Sequence, residues 1–133
     1  MASIHKEVLV DIAADLAWAA MRDVGAVHTR LATGFVTDCK LDGDARLVSF
    51  ANGMSARERI VDVDDVARRL VWAVVGGRLS HHNASAQVFA EGTGQCRIVW
   101  IADLLPNELA PAIEAMIGQG LVAMKRTLEA AAP

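Results

Sequence analysis

Tyrosine is missing from this chain altogether, and cysteine is reduced to two residues. Without tyrosine, no phenolic hydroxyl is available to position a ligand. The two cysteines, Cys39 and Cys96, are too far apart for a C-x-x-C pair and read as reduced core thiols. A basic excess is lacking too: the formal charge is -3 over 133 residues, which argues against a general nucleic-acid binder. No apolar run approaches the ~20 residues of a membrane span. The opening segment MASIHKEVLVDI has no basic stretch leading into an apolar block, so no secretory signal is expected. A cytoplasmic protein without stable membrane insertion is the expectation. There is no G-x-S-x-G and no glycine-rich loop between a strand and a helix, which leaves no nucleophile elbow and no nucleotide phosphate loop. Neither cofactor nor metal is expected.

What the chain does have is apolar residues, 53% of the total, enough for one core in a single domain spanning residues 1–133. The run Gln95–Leu105 (QCRIVWIADLL) is strand-like and stops at Pro106. A long amphipathic helix then extends from about Asn107 to Glu129. Leu109, Ile113, Met116, Ile117, Gly120, Leu121, Met124 and Leu128 recur there at steps of three and four and share one face. Upstream, Ser3–Ile12 reads as a first strand. A short helix from about Ala14 carries Leu16, Ala17, Trp18, Ala20 and Met21, and a second occupies Ala26–Leu31. Strands follow over Gly34–Leu41, Ala45–Ala51, Met54–Val63, Leu70–Val75 and Leu79–Ala90. Asp42-Gly43-Asp44 and Asn52-Gly53 between them are tight-turn signals. Short turns join strands antiparallel. The economical α+β arrangement is a curved seven-stranded antiparallel sheet gripping the long C-terminal helix, with two short helices after the first strand.

Alternation assigns the sheet faces. Cys96, Ile98, Trp100, Ala102 and Leu104 point toward the helix, and Arg97, Val99, Ile101 and Asp103 point away. His82, Ala84, Ala86 and Val88 share the inner side, and His81 the outer, so the two histidines cannot chelate one metal. Arg57 and Arg59 turn Glu58 inward between them, and Trp72 is placed inside for its area. Small inner residues (Ala56, Ala84, Ala86, Ala102), with Gly118 and Gly120 in the helix, imply either close helix–sheet contact or volume left unfilled.

Three segments resemble the helix-grip superfamily of START lipid-binding domains, the birch-pollen-allergen fold and the polyketide cyclase/dehydrase proteins. They are Leu16–Gly25 (LAWAAMRDVG), Glu58–Asp64 with Arg69–Trp72 (ERIVDVD and RLVW), and Ile98–Asp103 (IVWIAD) with the terminal helix. The order of elements agrees over nearly the whole chain. Two departures stand out. The tryptophan-proline pair that usually follows the second helix is replaced by His28-Thr29-Arg30-Leu31-Ala32, and the usual strand tyrosine is Trp72. A cyclase that positions a polyketide with tyrosine hydroxyls cannot do so here.

The resemblance implies a small hydrophobic or aromatic ligand, lipid- or polyketide-like, held between sheet and helix. Trp72, Trp100, Met116, Leu121, Met124, Ala84 and Ala86 supply apolar contact, with His28 near the entrance. Glu58 and His82 are the orienting polar groups. Alternatively they form a catalytic acid–base pair for a cyclase, dehydratase or isomerase, an inward carboxylate and a histidine able to titrate near neutrality suiting that work. A protein-interaction domain instead predicts a filled core and an exposed apolar patch. The sheet edge or the outer Val99/Ile101 pair offers a surface for a homodimer.

Overall fold

The computed structural model describes residues Met1 to Pro133. Seven antiparallel strands form one sheet in the order β1-β7-β6-β5-β4-β3-β2: β1 (Ala2–Val10), β2 (Val36–Asp42), β3 (Ala45–Phe50), β4 (Ser55–Asp64), β5 (Arg69–Val75), β6 (His81–Ala90) and β7 (Cys96–Leu105). Helix α1 (Ala14–Arg22) and a π-helical turn (Val27–Leu31) follow β1, and α2 (Ala110–Ala130) closes the chain. The second short helix expected over Ala26–Leu31 is present as a single π-helical turn, closed by the Ala32 N–H donating to the Val27 carbonyl five residues back. The long helix begins with a 3-10 turn, Asn107–Leu109, before α2 proper.

Curvature has identifiable sources. The β2–β3 register shifts between Val36 and Asp38, and the β4–β5 register between Ile60 and Asp62, so each strand carries an extra residue that bends it. The inner face matches the alternation: Cys96, Ile98, Ala102 and Leu104 are fully buried, as are Ala84, Ala86 and Val88. On the outer face Arg97 joins Glu7 and Glu91 and lies over Phe89. Val99, also outer, is already buried within the single chain.

Helix α2 is held unevenly. Its second half buries Gly120, Leu121, Ala123, Met124 and Leu128. That half is also tied by polar bonds from Lys125 Nζ to the Leu9 carbonyl, from the Asp11 N–H to Glu129, and from the Thr33 N–H to Thr127 Oγ1. Its first half carries Ile113 and Met116, both only half-buried. Gly120 answers the question the small residues raised. A Cβ there would lie 2.7 Å from Trp100 Cζ3 and 3.2 Å from Phe35 Cε2, so this glycine permits close contact. At Gly118 a Cβ would meet only the flexible Lys6 Nζ, at 3.4 Å. Gly120→Ala should therefore cost about 1–3 kcal/mol by crowding, although alanine favours the helix by ~1 kcal/mol. Gly118→Ala should stabilise by roughly 0.5–1 kcal/mol. Urea unfolding of both variants checks the pair, and equal shifts of the same sign would contradict it.

Candidate functional site: a sheet–helix cavity

Between the inner sheet face and the first half of α2 lies a cavity of about 460 Å³. Of the 31 residues on its wall 23 are hydrophobic, so any occupant makes mainly apolar contact. The wall includes Trp72, Trp100, Ala86, Met116 and Met124, together with Glu58 and His82. Trp72 and Trp100 meet edge to face, ring centroids 5.6 Å apart at 62°. Ala84 and Leu121 are buried in the packed part of the core and do not border the cavity. His28 does not border it either: it sits half-buried on the π-helical turn, with a buried Nδ1 that has no hydrogen-bond partner. The expected entrance position for His28 fails because Val27 and Leu31 take the inward side of that turn.

Glu58 points inward, but it is not alone. Arg46 on β3 lies directly across from it and donates from Nε to Glu58 Oε1 at 2.8 Å. Both residues are buried, Arg46 to 4% exposure and Glu58 to 8%. Arg46 Nη1 also donates to the Val24 carbonyl at 3.2 Å, and the guanidinium carbon lies 5.8 Å from the Trp72 ring centroid. The free acid–base carboxylate expected at Glu58 is thus one half of a buried ion pair. Reading residues singly missed Arg46. Its register opposite Glu58, across the Asn52-Gly53 hairpin, was the signal that could have found it.

His82 shapes the mouth. The β5–β6 ladder runs only from Arg69/Gln87 to Trp72/Ala84, and beyond it the hairpin opens. There the Val74 N–H donates to His82 Nδ1 at 3.0 Å, so an imidazole replaces the missing strand acceptor. With Nδ1 accepting, the neutral ring carries its proton on Nε2. Burial, reinforced by the neighbouring His81, pushes the His82 pKa down to about 4. His82 is accordingly neutral at pH 7 and does not titrate near neutrality as the sequence reading expected. An unfolded chain takes up the proton near pH 6.5 while the folded chain resists until about pH 4. Stability should therefore fall as pH drops through that window, by roughly 2 kcal/mol after allowing for partial exposure of the ring. His82→Asn, which keeps an acceptor for Val74, should flatten that part of the pH–stability curve. A variant with the same slope as the parent would remove His82 as its source.

No helix of the chain is long and apolar enough to cross a membrane. Among curated proteins no sequence matches. Solved structures do. A solution NMR structure from Thermobifida fusca is 27% identical, with a TM-score of 0.77, over 98% of this chain and 91% of that one. Norcoclaurine synthase from Thalictrum flavum, in complex with dopamine and hydroxybenzaldehyde, is 20% identical with a TM-score of 0.73, over 97% and 84%. The di-domain ARO/CYC protein BexL is 19% identical with a TM-score of 0.80; the match covers 97% of this chain but 47% of BexL. At these identities the likeness to the synthase and to BexL is one of fold. The family model for "Polyketide cyclase / dehydrase and lipid transport" matches residues 1–129, and the chain belongs to that family.

Proposed function

We propose that this protein binds a small, mainly apolar or aromatic molecule, lipid- or polyketide-like, in the cavity between the sheet and α2, and that it does so in the cytoplasm. The observation that carries the reading is the cavity itself, about 460 Å³ with an apolar wall, in a chain this short. A protein-interaction domain has no need of such a void, and unfilled apolar volume costs stability. Burying ~300 Å² of apolar ligand surface contributes about 7 kcal/mol gross at 25 cal/mol per Å². Association entropy removes much of that and leaves an affinity of micromolar order. A cyclase or dehydratase working with Glu58 as its base would first have to part that carboxylate from Arg46. The geometry therefore favours binding over acid–base chemistry by this pair. Native mass spectrometry of freshly purified protein, combined with titration of the neutral fluorescent probe N-phenylnaphthylamine, tests the proposal. A co-purifying small molecule, or saturable probe fluorescence displaced by apolar competitors, is the expected result. Absence of both would overturn it.

A further inference from the structure

We propose that the cavity selects an uncharged, elongated apolar molecule with a polar group at each end. One end sits against the Arg46–Glu58 pair, and the other accepts a hydrogen bond from His82. This deepens the binding reading above and rests on it.

The first end follows from what the ion pair leaves unused. Arg46 engages the protein through Nε and Nη1, and Glu58 through Oε1. Arg46 Nη2 and Glu58 Oε2 have no protein partner, yet neither is sealed off; the one buried side-chain polar atom without a partner is His28 Nδ1. Both residues lie on the cavity wall. They thus offer the occupant a donor and an acceptor side by side, which a hydroxyl, enol or amide can satisfy at once. Charge is selected against. The pair is neutral as a unit, so a ligand carboxylate would set a second anion beside Glu58, and a ligand ammonium a second cation beside Arg46. Arg57 on the wall is held by Asp42, and Arg78 stands exposed at the β5–β6 turn where solvent screens it, so neither balances a charge set beside the buried pair.

The second end follows from the mouth. His82 borders the cavity with Nδ1 committed to Val74, so only its Nε2–H is left to offer, and it calls for an acceptor oxygen. The spacing comes from the sheet. Glu58 pairs with Val74, and the Val74 N–H reaches the His82 ring across the opened hairpin, so β5 stands between the two polar stations and their backbones are separated by more than two strand spacings, upward of about 10 Å. Between them the wall is apolar, with Trp72 from the adjacent position on β5 and Met116 from α2. A compact molecule with a single polar group can satisfy one station but not both.

Competition against N-phenylnaphthylamine on the full chain tests this with three naphthalenes. They are the parent hydrocarbon, a diol with hydroxyls at opposite ends, and a hydroxynaphthoate carrying a carboxylate in place of one hydroxyl. The diol should displace the probe at about 10-fold lower concentration than either of the others. The double variant Arg46→Met/Glu58→Met removes both charges together and spares the fold an unpaired one. It should bring the diol to within about 3-fold of naphthalene, each measured against that variant's own probe affinity. His82→Asn, measured against its own probe affinity, should cost the diol several-fold more than it costs naphthalene. Equal displacement by diol and hydrocarbon, preference for the carboxylate, or a diol advantage that survives the double variant would each overturn the inference and leave the binding reading standing. A probe that does not bind at all, with no small molecule co-purifying, would overturn both.

Discussion

Arg46→Met should destabilise the folded chain by about 3–5 kcal/mol, because it strands a buried carboxylate. The side chains of Arg46 and Glu58 are only 5% and 11% exposed, so the little water that reaches the carboxylate from the cavity replaces only a small part of the lost partner's role. The substitution also takes the guanidinium donor from the Val24 carbonyl, leaving it only the weak Cys39 thiol at 3.6 Å, and removes the cation from the Trp72 ring. Replacing both members should behave quite differently. Arg46→Met/Glu58→Met puts two flexible apolar chains where two charges had to be desolvated, and such exchanges are neutral to stabilising by about 1–4 kcal/mol. The Val24 carbonyl keeps only the Cys39 thiol as donor in both variants, a loss of roughly 1 kcal/mol. Denaturant unfolding of the parent, both single variants and the double variant completes the cycle. A single variant as stable as the parent would show that the pair is solvated after all.

Filling the cavity should have the largest effect on binding. Ala86 is buried on β6, registers with Leu70 on one side and Trp100 on the other, and borders the void. Ala86→Phe directs a ring into the space an occupant would take. Ala86 is only 1% exposed between Leu70 and Trp100, so the ring should cost about 1–3 kcal/mol by overpacking, offset in part by its own apolar burial. Probe affinity should fall about 100-fold, equivalent to ~2.7 kcal/mol. Unchanged affinity in a folded variant would move the ligand elsewhere on the molecule.

Much of the architecture was legible in the residues, for reasons that particular segments make plain. Strong alternation in β6 and β7, with turn signals on either side, left little freedom in where those strands lie or which way they face. The length and periodicity of α2 did the same for the helix. The Ala26–Leu31 segment was read as a helix because its composition suits one; a π-helical turn differs only in hydrogen-bond spacing, which composition does not encode. The site was less readable. Trp72, Trp100, Met116, Met124 and Ala86 border the cavity, whereas Leu121 and Ala84, on the same faces, do not. Periodicity separates inside from outside, but it does not separate a filled interior from an empty one. Alternation turns Glu58 inward, yet its chemistry depends on Arg46, a residue of another strand that comes into view only through the β3–β4 register. His82 was turned inward as well, but its neutrality follows from burial and from where the β5–β6 ladder stops, neither of which a single strand reveals.

The pairing of β1 with β7 has a consequence for how the protein is made. Ala2 lies opposite Leu104 and Val10 opposite Cys96, so the first strand of this sheet finds its only partner in the seventh. On the ribosome, Ala2–Val10 must wait unpaired until about a hundred further residues have emerged, and closing so long a loop makes assembly slow. For that interval the nascent chain holds out a free strand to any neighbour, and early domain exchange between copies is the error most open to it.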